Sequence, residues 1–360
     1  MRRSRCGAAI AQRDAVNTDA QWLQERDRLL GLRISELGLS IQGTTIEPLV
    51  AQLYQELEQA GLRFRPPVYL SDEWGCPEGT PHIGVPFYLA SPELAQVEED
   101  HALGIEDETD IIRFLRHEAG HAFNYAYRLH ERTDWHEVFG SYSRPYRERY
   151  AADPFSRDHV RHILAWYAQK HPDEDFAETF AVWLTPDIDW RDTYRGWGAL
   201  KKLEYVDSVM KEIADDVPPV PELCDDDVPV GAMCYTVAEY YGDQDESLAP
   251  EDVRVFDADL RMLFPPRAGG DDLGPKGPGA GAFIRQHRRE LVGRITYWTG
   301  EATSLVKSFV DALADRADAL SLRAWGREAS TLIELTAFGT AVMMNYRYTR
   351  GLVPRPRARR

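Results

Sequence analysis

Apolar positions recur at helical spacing through the first third of the chain. Trp22, Leu23, Leu29, Leu30, Leu32 and Ile34, then Leu49, Leu53, Tyr54, Leu57 and Leu62, predict helix over residues 20–62, which Pro66-Pro67 ends. Val68-Tyr69-Leu70 and Val85-Pro86-Phe87-Tyr88-Leu89 read as strands around a Gly/Pro-rich turn. Helical spacing returns at Ile111, Ile112, Phe114, Leu115, Ala119, Ala122, Phe123 and Ala126, again over 172–184, and continues through 185–214. After Pro218-Pro219-Val220-Pro221 the chain turns acidic and then rich in proline and glycine to about residue 281. Two or three helices follow over 282–349. The expected fold is α+β and predominantly helical. Its expected units are a domain over 1–215 with its core at about 65–215, a linker over 216–281 and a helical unit over 282–350.

The third helical stretch carries His117-Glu118-Ala119-Gly120-His121. By chance alone such a string occurs in roughly one chain per hundred of this length. On a helix, residues four apart share a face, so His117 and His121 can offer imidazole nitrogens to one Zn2+ at about 2.0–2.1 Å. Glu118 then lies beside the metal, where a carboxylate takes a proton from bound water. The apolar flanks predict a buried helix, in which ionisable groups need partners.

A third ligand is available in His171-Pro172-Asp173-Glu174-Asp175-Phe176-Ala177-Glu178. Pro172 suits the first turn of a helix and the acids suit its positive end. Glu174 and Glu178 are four apart and project the same way. Glu174 is assigned to the metal and Glu178 to a hydrogen bond with a ligating histidine, with the reverse assignment left open. Asp175 points off that face.

These residues resemble the gluzincin zinc metallopeptidases. The nearer resemblance is to the catalytic domain of anthrax lethal factor and to bacterial proteins described only as zinc-binding metallopeptidases. It is specific over about Asp110 to Leu184, through Glu174-Asp175-Phe176-Ala177-Glu178-Thr179-Phe180 and a tyrosine seven residues before Glu174, which is Tyr167. It implies a zincin-like catalytic domain, with Tyr167 hydrogen-bonding the oxyanion of the tetrahedral intermediate. It also implies hydrolysis of peptide bonds, with a peptide or protein as substrate. A zinc hydrolase for a small non-protein amide and a catalytically silent zinc protein use the same ligands. Intact Glu118 speaks against the silent form.

Charge and cysteine content narrow the class further. A net charge of −17 argues against nucleic acid and anionic membranes as partners. Cys6, Cys76, Cys224 and Cys234 form no Cys-x-x-Cys pair, and Gln12-Arg13-Asp14 interrupt the short apolar run after the basic start. A cytoplasmic location is expected. Residues 143–162 are locally basic, and their arginines suit either a solvated face or a lid that meets a substrate carboxylate. In the zincins that the chain resembles, a strand upstream of the metal helix borders the cleft and an extended substrate adds to it; Gly84 to Ala90 is the candidate here, with an ordinary core strand as the alternative.

Overall fold

The computed structural model describes residues 21–102, 105–147, 150, 152–163, 166–221, 223, 228–242, 252–265, 277–301 and 303–349. The basic termini, Cys6, Cys224 and the glycine-rich stretch 269–276 lie outside them. Among the described residues Cys76 and Cys234 form no disulfide, and Cys76 Sγ donates to the Thr80 carbonyl at 3.1 Å.

Among the described residues the architecture is predominantly helical with one small parallel sheet, consistent with the α+β expectation. Helix α1 (Ile46–Gln59) precedes β1 (Val68–Ser71) and β2 (Ile83–Pro86), which pair in parallel from Val68 opposite Ile83 to Ser71 opposite Pro86. The second strand is shorter than its pattern predicts, and Phe87–Ala90 coils into a 3-10 turn. Proline has no N–H to give a ladder, so pairing stops at Pro86. All of residues 83–89 are buried. Gly75 bridges antiparallel to Gly84. The segment 84–90 therefore offers no free edge at Gly84, which corrects the expectation of a substrate-binding strand there.

Helices α2 (Pro92–Ala102), α3 (Glu108–Ala126), α4 (Thr133–Phe139), α5 (Pro172–Leu184) and α6 (Ala199–Glu212) follow. Asp107 caps α3 by accepting from the Asp110 amide at 2.9 Å, and His171 caps α5 with Pro172 in its first turn. Leu53, Leu57, Phe64, Leu115, Phe123, Phe176 and Phe180 belong to one core that clamps α1, α3 and α5 together. Phe123 stacks on Phe180 with ring centroids 5.1 Å apart. The buried Glu56 carboxylate on α1 takes two hydrogen bonds from Arg116 on α3, at 2.6 and 2.7 Å. This bidentate pair fixes α3 one residue before its first histidine.

Of the stretch expected as linker, residues 228–242 pack on this first core through Met233, Val237 and Tyr241. The Ile34 and Ser35 amides donate to the carbonyls of Tyr235 and Met233, both at 3.1 Å. Residues 252–265, with helix α7 (Asp257–Leu263), belong to a second core. That core also contains α8 (Ala280–Gln286), α9 (Arg288–Thr299), α10 (Thr303–Ala319) and α11 (Glu328–Thr349). Among the described residues the C-terminal part thus holds four helices over 280–349, not two or three. Breaks at His287 and at Gly300, whose φ is +63°, divide what the apolar pattern reads as fewer segments. The two cores meet where Lys307 Nζ donates to the His101 carbonyl at 2.6 Å and Arg289 pairs with Glu99. Among the described residues no helix is long and apolar enough to cross a membrane.

Candidate metal centre

Helices α3 and α5 make a close pair, and the chemistry lies between them. Gly120 faces Ala177 across the contact, so close that a Cβ there would stand 2.7 Å from the Ala177 Cα. His117 and His121, one turn apart on α3, and Glu174 in the first turn of α5 are all buried. Their donor atoms form a triangle. The Nε2 atoms of His117 and His121 are 3.2 Å apart, and Glu174 Oε2 lies 3.1 Å from the first and 3.3 Å from the second. A tetrahedral ion with bonds of about 2.0–2.1 Å requires ligand atoms about 3.3–3.4 Å apart. These three side chains are positioned to hold a metal ion. Two imidazoles and one carboxylate also match the donor set of a site that keeps one position open.

Each ligand is oriented from behind. Glu178 Oε1 lies 2.9 Å from His117 Nδ1, and its other oxygen accepts from the Ile163 amide at 2.8 Å. A proton on His117 Nδ1 facing that carboxylate leaves the Nε2 lone pair aimed at the triangle. Asp173 Oδ2 lies 3.2 Å from His121 Nδ1, although at an angle too poor for a well-formed hydrogen bond. Asp173 is itself held by Asn124 Nδ2 at 2.7 Å and the Tyr125 hydroxyl at 2.6 Å. Asp175 turns away to Lys202 Nζ at 2.5 Å. Four buried carboxylates on one helix are thus each paired, the condition for keeping charge inside a protein.

The electrostatics follow this pairing. Burial pushes Glu174 up, but its bonds to His117 and His121 hold it well below the usual carboxylate range. Burial lowers His117, yet Glu174 and Glu178 outweigh it and raise the imidazole to about 9. His121 is likewise raised, by Asp173 and Glu174 against its burial. Glu118 is pushed up by burial, against the opposing pull of the two histidines.

A cavity of about 440 Å³ opens onto the cluster. Glu118 and Tyr167 line it together with the ligands, so all the side chains expected at the site meet there except Glu178, which stands behind His117. The upstream wall is Trp74, Gly75 and Cys76, in place of the expected Gly84–Ala90 segment. Trp74 is fixed by stacking on Phe114 of α3 and by donating to Glu106 at 3.0 Å. From the basic stretch at 143–162, an insertion between α3 and α5, Arg144 and Tyr146 reach the cavity. His171 caps α5 and also lines this space.

Three features escaped the sequence reading. Asp173 looked like one more acid of a helix start, and only its packing against His121 distinguishes it. Tyr146 lies in an irregular segment with no periodic signal. Gly120 reads as a weak point inside a helix until Ala177 is seen opposite.

Residues 93–246 match the model of a protein family described as "Putative zinc-binding metallo-peptidase". The match covers both histidines, Glu118, Tyr167, Glu174 and Glu178. Comparison with curated proteins and with solved structures found no match.

Proposed function

We propose that this protein is a zinc-dependent peptidase of the gluzincin type, with a zincin-like catalytic unit, acting on peptide or protein substrates. The observation that carries the reading is the triangle of His117, His121 and Glu174 with Glu118 on the wall of the same cavity. When bound, zinc would supply Lewis acidity, polarising the scissile carbonyl and lowering the pKa of water to about 7.

The chain's own residues do the remaining work. His117, His121 and Glu174 hold the ion, while Glu178 and Asp173 orient the two rings. Glu118 accepts a proton from the attacking water and delivers it to the leaving amine. Tyr167 donates to the carbonyl oxygen as it gains negative charge, and one such donor is worth about 3–4 kcal/mol. Its hydroxyl lies 3.4 Å from Glu174 Oε1, so it stands beside the metal triangle. A cytoplasmic location completes this reading.

The test is metal analysis of the purified protein combined with cleavage-site profiling on a peptide library. One zinc per chain and cleavage abolished by a chelator are expected. A zinc-loaded protein that cleaves small amides and no peptide overturns the choice of substrate class.

A further inference from the structure

The insertion brings a tyrosine to the third ligand of the triangle. Tyr146 donates its hydroxyl to Glu174 Oε1, the oxygen that faces away from the two histidines. Tyr167 approaches the same oxygen. Tyr146 is half exposed and lines the cavity onto which the triangle opens.

Three ties hold the insertion over the site. The Tyr142 hydroxyl donates to Glu78 Oε1 at 3.0 Å, across to the loop that forms the upstream wall. His171 Nε2 lies 2.8 Å from the Arg144 carbonyl. The buried Lys170 places Nζ 4.4 Å from the Tyr146 ring centroid and 5.1 Å from that of Tyr167. It also donates to the Tyr167 hydroxyl at 3.3 Å. A cation over both rings draws electron density from them, and this strengthens each hydroxyl as a donor.

We propose that Tyr146 is a second oxyanion donor, and that Lys170 is the positioning residue holding Tyr146 and Tyr167 as a pair. This rests on the zinc-peptidase reading. In the resting site the Tyr146 hydroxyl bonds the outer oxygen of Glu174. As the substrate carbonyl becomes tetrahedral, the hydroxyl turns to the new oxyanion. It keeps its proton throughout, since a hydrogen bond is all the step requires.

The experiment uses zinc-loaded full-length protein and the variants Tyr146→Phe, Tyr167→Phe, Lys170→Met and Lys170→Arg. Two probes with the same side chains are compared by calorimetry: a phosphinic pseudodipeptide, which carries a tetrahedral oxyanion, and a thiol-capped dipeptide, which carries none. For Tyr146→Phe the expected result is a loss of phosphinate affinity of about 10-fold or more with thiol affinity and zinc content held. Lys170→Met reproduces a smaller loss and Lys170→Arg restores most of it. Equal losses for both probes, or none, overturn the assignment of Tyr146. A wild-type protein that discriminates between the probes yet cleaves no peptide overturns the peptidase reading alone. A protein that takes up no zinc overturns both.

Discussion

Gly120 and Ala177 set the distance between the two helices that carry the metal ligands. A Cβ at Gly120 would lie 2.7 Å from the Ala177 Cα and 2.9 Å from its carbonyl oxygen, both backbone atoms that no side-chain rotation can move. In an isolated helix, replacing glycine by alanine gains about 1 kcal/mol. Overpacking a rigid contact costs about 1–3 kcal/mol, and here separation of the helices also splits the histidines from Glu174. Gly120→Ala is expected to lower the thermal midpoint by a few degrees and to weaken zinc binding. An unchanged or higher midpoint would show that the helices part without cost.

Glu118→Gln preserves the size of the side chain and removes its capacity to take a proton. It is expected to bind one zinc per chain and to lose about 10²–10⁴-fold in turnover, measured on the best peptide from library profiling. Normal turnover in this variant refutes the role given to Glu118.

The two glutamates of α5 should separate cleanly in metal titrations. Glu174→Ala removes one corner of the triangle and is expected to abolish stoichiometric binding. Glu178→Gln leaves all three corners and weakens affinity by about 10–100-fold, through the poorer orientation of His117. Asp173→Asn should do the same through His121. If Glu178→Gln loses zinc outright while Glu174→Ala retains it, the assignment is reversed.

Zinc should also act as a folding ligand. An ion bound by residues from two helices favours the folded chain, by about 2.7 kcal/mol at a hundredfold excess over the dissociation constant. Thermal melts with and without chelator should differ accordingly. Coincident melts would mean that no specific site forms.

Away from the metal, burial pushes Glu98 on α2 up to about 7 from its ordinary value of 4.5, against the pull of the Tyr241 hydroxyl. The folded chain then holds this proton after the unfolded chain has released it. Glu98 therefore contributes most below pH 4.5, and its contribution fades as pH rises to about 7. With allowance for partial exposure the loss is roughly 2 kcal/mol. Glu98→Gln should flatten that part of the curve in urea unfolding at about pH 5 and about pH 8. An unaltered slope assigns the effect to other groups.

The sequence alone determined the parts that local spacing controls. A four-residue separation on a helix puts His117 beside His121 whatever surrounds them, and the same rule aligns Glu174 with Glu178. The apolar pattern located α1, α3 and α5 because helix periodicity is a property of neighbouring residues. Tertiary structure decided everything that depends on distant segments meeting. Only the packing of α3 on α5 brings Glu174 to the imidazoles, leaves Glu178 behind His117 and sets Asp173 against His121. Only the closing of an irregular insertion over the cavity carries Tyr146 to the site, and only the antiparallel bridge at Gly75 makes residues 74–76, not 84–90, its upstream wall. Contacts of that kind leave no periodic trace in the chain, since they are fixed by the shape of the assembled core.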